Sequence, residues 1–532
     1  MFKKNDHIYV KSGKIFNQHF YWTKQPVNVI HHFIKRYTIK SETVLDPFCG
    51  SGSTGLAAQM LNRKSILSDI SSTSIHISKG YNSNINFSIN ELDNFLYTVK
   101  TKLQPYYETS LKGKLEKYEI LYDIIGEVYK NKNGKKYTEA KQIFESITKN
   151  KTFKSKITRE YQFSNYQCIY RCLKINGKKK YLSLLDLKNN EIPQINKANI
   201  PLDYFFGKES KRNLKFGINQ VFQLYSHRNL FALSLIKKEI KKIKNCDLKN
   251  FLNFCFSSIL FNCSLMSRFR KYENTSIKMG TYYIPKLIKD NNVLLSFTRK
   301  AKSIYNAKSN FFRNYSYFPP EIIKQDASKL NNIKTSSIDL IYADPPYGEM
   351  INYSELNLVI ESWLDLNKKY INEMIIDESV GKTEQYFFNL FKNFLTQASR
   401  VLKKNKYLIL VFHNPNLKIW KSLQEELLLS KFEIKKTYKP IRILSKNKTA
   451  SQRKTKKRTQ GFLVFTLINK KKYFHKKIKK LSKQELIKLR LNSEKYGYKT
   501  ERDKFDFFIN YIIGRYEIDD QIIDFLKQSD LC

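Results

Sequence analysis

The sequence predicts an α/β fold with a parallel sheet, because strand and helix patterns alternate near both ends of the chain. Strand, helix, strand is the order that builds a parallel sheet covered by helices. In the first part of the chain, helical patterns cover residues 27–37, 54–61 and 72–81, and strand patterns cover 43–48 and 65–69. The same order resumes later, with strand patterns at 322–326, 338–343 and 407–412 and a helical pattern at 387–402. We therefore expect one sheet whose strands come from two separate stretches of sequence.

The residues between these stretches, 91–318, are predicted to form a mixed, mainly helical insertion. A β-hairpin is expected around Asn176-Gly177, since Asn-Gly between two strand patterns is typical of a two-residue turn. Two long helical patterns follow, at 219–244 and 248–272. Beyond the insertion, strand patterns at 433–438 and 462–467 predict a closing antiparallel pair. The residues from 469 onwards are predicted to form a basic, helical tail.

Charge is the most unusual feature of the composition. The 532 residues include 96 Lys and Arg against 47 Asp and Glu, which gives a net charge of +49. A surplus of this size attracts polyanions and makes nucleic acid the first partner to consider. However, Lys, Asn, Ile and Tyr are abundant throughout, as expected from A/T-rich coding DNA. Charge therefore supports nucleic-acid binding only together with a catalytic motif.

The seven cysteines do not form a disulfide pattern, because their number is odd and they are scattered. The amino-terminal residues lack an apolar stretch typical of a signal peptide. Both features predict a reducing, cytoplasmic location. The most apolar segment, 251–266, is shorter than a membrane span and contains polar residues, so we expect a buried helix. Cys168 and Cys172 lack a second Cys or His pair at ligand spacing, and no metal site is predicted.

The first chemical motif is VLDPFCGSGSTGLAA at 44–58, in which a strand enters a tight turn and a helix. Gly50 and Gly52 allow the backbone to approach a ligand at the helix amino terminus. Asp69 ends the next strand, where a carboxylate can accept both hydroxyls of a ribose. With Gly55 the string also satisfies the G-x-G-x-x-G pattern of nicotinamide enzymes. The Asp46-Pro47-Phe48 lead-in favours S-adenosylmethionine instead.

The second motif is IDLIYADPPYGEMINYSEL at 338–356, which places Asp-Pro-Pro-Tyr-Gly at the end of an apolar strand. An exocyclic amine is a poor nucleophile because its lone pair is delocalised into the base. The Asp344 carboxylate and the Pro345 carbonyl can accept its two hydrogens and favour a more tetrahedral nitrogen. Pro345 and Pro346 hold these acceptors rigid. Tyr347 offers a flat face for a base that has been extruded from the duplex.

These two strings resemble motifs I and IV of the N6-adenine and N4-cytosine DNA methyltransferases. Residues 21–26, YWTKQP, resemble motif X of that family, whose residues help to hold the methionine end of the cofactor. Asp326 resembles the motif III acid that bonds the adenine amino group of the cofactor. The resemblance implies a Rossmann-like, seven-stranded methyltransferase sheet with a reversed last strand, S-adenosylmethionine as cofactor and double-stranded DNA as partner.

The resemblance also implies the site residues and the division of the chain. The cofactor-binding residues would be Trp22, Thr23, Asp46, Phe48, Gly50, Gly52, Asp69 and Asp326, and the catalytic residues Asp344, Pro345, Pro346 and Tyr347. The methyltransferase domain would consist of residues 1–90 and 319–468. The insertion, 91–318, would recognise the target, and 469–532 would form the tail. Related enzymes often carry a cysteine-rich zinc ribbon in the insertion, which this sequence lacks.

Several functions remain open within this interpretation. A 5-methylcytosine enzyme is disfavoured, because its cysteine nucleophile usually follows a proline and the sequence has no Pro-Cys. Asp-Pro-Pro-Tyr occurs more often in adenine-N6 than in cytosine-N4 enzymes, so we predict site-specific N6-adenine methylation by base flipping. Cytosine-N4 methylation, RNA base methylation and a catalytically inactive DNA-binding protein are the alternatives. A cognate restriction endonuclease is a further possible partner.

The sharpest candidate for phosphate contact is KNKTASQRKTKKR at 446–458, a polar loop between two predicted strands. Its predicted nucleic-acid-binding residues are Lys446, Lys448, Arg453, Lys454, Lys456, Lys457 and Arg458. Such contacts supply affinity and salt dependence but do not select a sequence.

Overall fold

A computed structural model describes residues 14–149, 153, 155, 157, 162–188, 191–270, 277–278, 280–315, 318–348, 351–368, 372–442, 461–471, 479–495, 501–513 and 515–528. Its main sheet has seven strands, which are β1 (Thr43–Asp46), β2 (Lys64–Asp69), β9 (Glu321–Lys324), β10 (Ile338–Ala343), β11 (Leu402–Phe412), β12 (Phe432–Arg442) and β13 (Gly461–Asn469). Their order across the sheet is β12-β13-β11-β10-β1-β2-β9.

Strand directions agree with the predicted Rossmann-like sheet. β9, β2, β1, β10 and β11 pair in parallel, whereas β13 is antiparallel to both β11 and β12. The predicted antiparallel pair and the reversed last strand are therefore confirmed. β1 and β10 are neighbours in the sheet although about 290 residues separate them in the sequence, as expected of a sheet built from two stretches of chain.

Helices cover both faces of the main sheet. The helices of the described chain, of which α5 packs on a second sheet instead, are α1 (Val27–Tyr37), α2 (Ser53–Met60), α3 (Ser72–Asn82), α4 (Ile89–Leu103), α5 (Ala140–Lys149), α6 (Lys208–Leu214), α7 (His227–Lys241), α8 (Cys246–Ile259), α9 (Val293–Asn314), α10 (Tyr353–Trp363), α11 (Glu384–Val401), α12 (Leu417–Leu428), α13 (Lys483–Lys495), α14 (Glu501–Ile512) and α15 (Asp520–Gln528). Each of the helices predicted at 27–37, 54–61, 72–81 and 387–402 is present within a few residues of its predicted ends.

The central strands are buried on both faces, and their alternating side chains belong to two different cores. Val44 and Leu340 pack with α1, α3, α8 and α9, whereas Leu45 and Ile341 pack with α11, α12 and the three carboxy-terminal helices. Because successive side chains of a strand point to opposite faces, one apolar run can serve two cores. The segment predicted as a tail thus supplies part of the second core.

A second, six-stranded sheet lies within residues 91–318. It consists of β3 (Glu108–Ser110), β4 (Lys117–Lys130), β5 (Lys136–Tyr137), β6 (Gln162–Ile175), β7 (Lys178–Leu182) and β8 (Leu287–Asn291), and all of its pairings are antiparallel. The hairpin predicted at Asn176-Gly177 joins β6 to β7 and is confirmed. The sequence prediction did not include the rest of this sheet.

Most helices of residues 91–318 do not form a core separate from that of the main sheet. Side chains of α4, α7, α8 and α9 pack in the same cluster as α1 and the main sheet. The helix predicted at 248–272 is wrong in its second half, because α8 ends at Ile259. The chain then remains buried in turns, in which the Ser264 hydroxyl donates to the Phe261 carbonyl at 2.8 Å. The predicted limits at 90 and 318 therefore do not coincide with a break in the core.

Candidate active site at the carboxyl ends of the strands

Four carboxylates lie where four neighbouring strands of the main sheet end. Asp46 and Asp69 are the last residues of β1 and β2, Asp344 follows β10 directly, and Asp326 comes two residues after β9. The chain runs from β1 outwards to β2 and later returns to place β10 on the other side of β1. Such a reversal opens a crevice at the carboxyl ends, which is where open α/β sheets bind ligands.

The turn after β1 is held by hydrogen bonds to the end of β2. The Gly50 amide donates to Asp69 Oδ2 at 3.0 Å, and the Ser71 amide donates to Asp69 Oδ1 at 2.9 Å. Gly50 has φ +47° and Gly52 has φ +78°, so both adopt left-handed backbone that favours glycine. A Cβ on Gly52 would lie 2.9 Å from the Ser78 Cα, and Gly52 therefore also permits close packing of α2 on α3.

Asp46 is buried at the base of this turn. Its Oδ1 accepts from the Phe48 amide at 3.1 Å, and its Oδ2 accepts from the Thr54 hydroxyl at 2.5 Å. Burial raises the pKa of Asp46 to about 7, although these two hydrogen bonds oppose the rise. Burial likewise raises the pKa of Asp69 to about 6. The two carboxyl groups thus lie in a site where ionisation is costly unless a cation or further donors are present.

The Asp-Pro-Pro-Tyr segment places a third carboxylate beside them. The Tyr347 hydroxyl donates to Asp344 Oδ1, and the Tyr347 ring packs edge-on against Phe412, with centroids 5.6 Å apart. The Asn414 side-chain amide donates to the Tyr347 carbonyl at 2.7 Å. Burial raises the pKa of Asp344 to about 6, and hydrogen bonds from Tyr347 and Gln25 oppose this rise.

The segment before α1 forms another wall of the site. The Thr23 hydroxyl lies 2.6 Å from the hydroxyl of Tyr353, the first residue of α10. Gln25 hydrogen-bonds to Asp344, and its Oε1 is buried without a partner in the described structure. Residues 21–26, which resemble motif X, are therefore adjacent in space to the Asp-Pro-Pro-Tyr segment, although more than 300 residues separate the two in the sequence.

These elements enclose a cavity with about 920 Å³ of space between protein atoms, including its open mouth. Pockets for small molecules typically have 300–1,000 Å³. Five carboxyl groups line it, those of Asp46, Asp69, Asp326, Asp344 and Glu373. The described lining residues include no Lys, Arg or His, which contrasts with the net charge of +49 for the chain.

The structure brings most of the predicted site residues to this cavity. Those that line it are Thr23, Asp46, Phe48, Gly50, Asp69, Asp326, Asp344 and Pro346. The other four, Trp22, Gly52, Pro345 and Tyr347, do not line it, although each is adjacent in sequence to a lining residue. Trp22 is buried, and its Nε1 donates to Asn357 Oδ1 at 3.1 Å. The predicted phosphate-binding residues, Lys446 to Arg458, lie outside the described residues.

Several lining residues were missed by sequence reasoning. Gln25 and Tyr353 lie in strings that were recognised, and only their roles were overlooked. Asn372 and Glu373 follow α10, in a stretch without a recognisable pattern. The Asn372 side-chain amide donates to Asp326 Oδ2 at 2.9 Å, and the Ser354 hydroxyl donates to Glu373 Oε2 at 2.7 Å. No local signal in the sequence identifies these two residues.

Neither a metal cluster nor a membrane span is found in the described parts of the chain. There, no group of three or more His, Cys, Asp or Glu side chains is arranged to hold a metal ion. Cys172 packs instead in a small core of the second sheet. Every helix in those parts is too short or too polar to cross a bilayer.

Comparison with known proteins agrees with the site. Residues 3–80, which include the first glycine-rich turn and Asp69, match the model of a family described as DNA methylase. No curated protein matches the chain significantly. The matched segment, together with the seven-stranded sheet and the Asp-Pro-Pro-Tyr segment at its carboxyl edge, supports assignment of the chain to the DNA amino-methyltransferases.

Proposed function

We propose that the chain transfers a methyl group from S-adenosylmethionine to the N6 amino group of adenine at specific sites in DNA. The observation that carries the proposal is the cavity between the glycine-rich turn and the Asp-Pro-Pro-Tyr segment, which is lined by five carboxyl groups. Such a lining suits a cation and ligands rich in hydrogen-bond donors. It disfavours a nicotinamide dinucleotide, because the five carboxyl groups would repel the negative pyrophosphate.

The cavity residues fit the parts of S-adenosylmethionine. When bound, this cofactor supplies an electrophilic methyl group on a positively charged sulfonium. Asp69 would accept the ribose hydroxyls and Asp326 the adenine amino group, while Gly50 and Phe48 would border the nucleoside. Thr23 would contact the methionine end. Trp22 would act indirectly, since it holds Asn357, whose amide donates to the Ser71 hydroxyl at 3.0 Å.

Asp344 and Pro345 would bind the amino group of the base. An ionised Asp344 and the Pro345 carbonyl can accept its two hydrogens, which directs the nitrogen lone pair towards the methyl group. Transfer would be a direct in-line displacement, in which the N–CH3 bond forms as the S–CH3 bond breaks and the sulfonium leaves as a neutral thioether. The methylated nitrogen would then release one proton to water. The Tyr347 hydroxyl donates to one Asp344 oxygen, and the carboxylate keeps further acceptor sites for the incoming amino group. Tyr347 would then stack on the extruded base, and Pro346 would border it.

The remaining assignments concern the macromolecular partners. Residues 91–318 would recognise the target sequence, and the basic residues of 446–458 would contact DNA phosphates. Both stay predictions, as do a cytoplasmic location and a cognate restriction endonuclease. The large positive net charge of the chain supports DNA as the partner.

The test incubates the protein with tritiated S-adenosylmethionine and mixed-sequence duplex DNA, followed by digestion and nucleoside analysis. Label in N6-methyladenine is expected. Label in N4-methylcytosine would keep the mechanism and change the base, whereas label in RNA alone would refute DNA as the substrate. Cofactor binding without transfer to any nucleic acid would favour a protein that has lost catalysis. The Asp344→Ala variant should abolish transfer and retain cofactor binding.

A further inference from the structure

An extended segment before α6 exposes every second side chain. Leu202, Tyr204 and Phe206 are 44%, 66% and 47% exposed, and Lys208 follows them in the same alternation. Lys211 and Leu214 of α6, and Lys215 directly after it, are also exposed. We call these seven residues the Tyr204 surface. Apolar and aromatic side chains are rarely left in water in a row, and such rows mark contact sites.

The intervening side chains fix this segment to α10. Asp203 accepts hydrogen bonds from the Ser362 hydroxyl and, at 2.5 Å, from Lys368 Nζ. The Phe205 ring lies 4.9 Å from that of Tyr282, whose hydroxyl donates to the Glu355 carbonyl at 2.7 Å. The exposed side chains therefore belong to an extended segment that is held in place by these contacts.

The anchor continues towards the active site. The Glu209 amide donates to the buried Glu355 carboxylate, and a Cβ on Gly207 would collide with the same carboxylate. Glu355 is two residues after Tyr353, whose ring lines the cofactor cavity. α10 thus contributes Tyr353 to the cavity at its start and holds the segment of the Tyr204 surface through Glu355 in its first turn and Ser362 in its last.

The acidic side chains around the Tyr204 surface form ion pairs, and three lysines lie beside its aromatic side chains. Asp203 and Glu209 are the acids of residues 201–217; Asp203 pairs with Lys368, and Glu209 pairs with Arg212 at 2.8 Å. Lys208, Lys211 and Lys215 remain at the surface beside the aromatic side chains. Aromatic rings that can stack on bases, interleaved with lysines that can contact phosphates, form a surface complementary to nucleic acid. A second copy of a chain with net charge +49 would instead be repelled.

We propose that the Tyr204 surface binds the DNA next to the extruded base, with Tyr204 or Phe206 against unstacked bases and the lysines on phosphates. The inference rests on the proposed function. It adds a contact that is independent of the 446–458 loop. Extrusion leaves a gap and unstacks the neighbouring bases, and an apolar side chain that is held rigidly beside the catalytic helix can compensate for the lost stacking.

The first experiment compares Tyr204→Ala with Tyr97→Ala. Tyr97, on α4, is 69% exposed and so matches Tyr204 in exposure, but it lies on a helix that packs against α7 and α9. Binding to a fluorescent duplex is measured by anisotropy at fixed salt, and binding to S-adenosylmethionine by calorimetry. We expect Tyr204→Ala to weaken DNA binding by about five- to a hundredfold, as for the loss of one base-stacking contact. Cofactor binding should be unchanged, and Tyr97→Ala should bind DNA like the wild type.

The second experiment tests the lysines through salt dependence. The double variant Lys211→Gln/Lys215→Gln is compared with the control double variant Lys40→Gln/Lys64→Gln. Lys40 precedes β1 and Lys64 begins β2, so both control residues lie at the amino end of the sheet, opposite the cavity. If the first pair contacts two phosphates, the slope of log affinity against log salt becomes shallower by about 2. The control pair should leave the slope unchanged.

The outcomes separate the two proposals. If the wild-type protein neither binds nor methylates DNA, both proposals fail. If the wild type does so and the Tyr204 and lysine variants behave like their controls, the Tyr204 surface does not bind DNA and the proposed function stands. If Tyr204→Ala converts a dimer to a monomer in sedimentation and leaves DNA binding unchanged, the surface joins two copies of the chain, and the inference is overturned.

Discussion

Replacing Asp344 by asparagine should remove activity and, at neutral pH, make the folded protein more stable. Burial raises the pKa of Asp344 from its ordinary 3.8 to about 6. As the pH rises, the unfolded chain therefore loses this proton before the folded chain does. Ionising the folded group costs stability, and the cost appears above about pH 4 and is complete above about pH 6. Asparagine has the same shape and never ionises, so it avoids the cost.

The magnitude follows from the two pKa values. The rise of about two pH units corresponds to about 3 kcal/mol, since one unit is about 1.4 kcal/mol. The substituted side chain would keep an oxygen that accepts from the Tyr347 hydroxyl. A neutral acceptor is weaker than a carboxylate, so a gain of about 1–3 kcal/mol at pH 8 is expected. At pH 4, where the folded wild type is largely protonated at this position, the gain should nearly vanish.

The assay is urea unfolding of cofactor-free protein at pH 4, 6 and 8 at constant ionic strength. Asp377→Asn serves as the control of opposite sign. Burial opposes ionisation there too, but hydrogen bonds from Ser379 and Asn352 outweigh it and lower the pKa of Asp377. Relative to the wild type, the Asp377→Asn variant should be destabilised more at pH 8 than at pH 4. Equal changes in stability for Asp344→Asn at all three pH values would refute the raised pKa of the Asp344 carboxyl group.

Four further predictions concern neighbouring features. Gln25→Ala should move the acid limb of kcat/KM upwards by about one to two pH units, because the pKa of Asp344 rises without that hydrogen bond; an unmoved limb contradicts this. Asp69→Asn should weaken cofactor binding in calorimetry by about tenfold or more, since ribose bonds to a charged acceptor are lost, whereas unchanged binding would remove Asp69 from the site. Gly52→Ala should lower the free energy of unfolding by about 2–4 kcal/mol, because φ is +78° and the Cβ meets α3; an unchanged melting temperature would refute that packing. Neutralising the basic residues of 446–458 should make DNA binding less salt-dependent without altering the methylated sequence, and a changed sequence preference would show base contact instead.

Two chemical strings and the positions of the main-sheet strands along the chain could be predicted from the sequence. The glycine-rich turn, Asp69 and the Asp-Pro-Pro-Tyr segment carry their chemistry in consecutive residues, and the strands before them are short apolar runs. The two strings follow Asp46 and Ala343, which end parallel strands. Because the carboxyl ends of parallel strands meet at one edge of a sheet, this position predicts that the two strings lie close together in space. The antiparallel pair β12 and β13 was also predictable from local pattern alone.

The second sheet, the shared cores and part of the site depended on tertiary structure. β4 pairs with β6 and with β8, which follows more than 150 residues later, and local periodicity does not encode such a partner. Glu373 and Asn372 have no motif around them, and they reach the cavity only because the chain after α10 returns to it. Trp22 shows the converse, since its motif is recognisable but packing directs its ring away from the cavity. Local sequence determined which residues form strands, turns and acceptors, whereas long-range packing decided which of them share the cavity, because burial depends on contacts between segments that lie far apart in the chain.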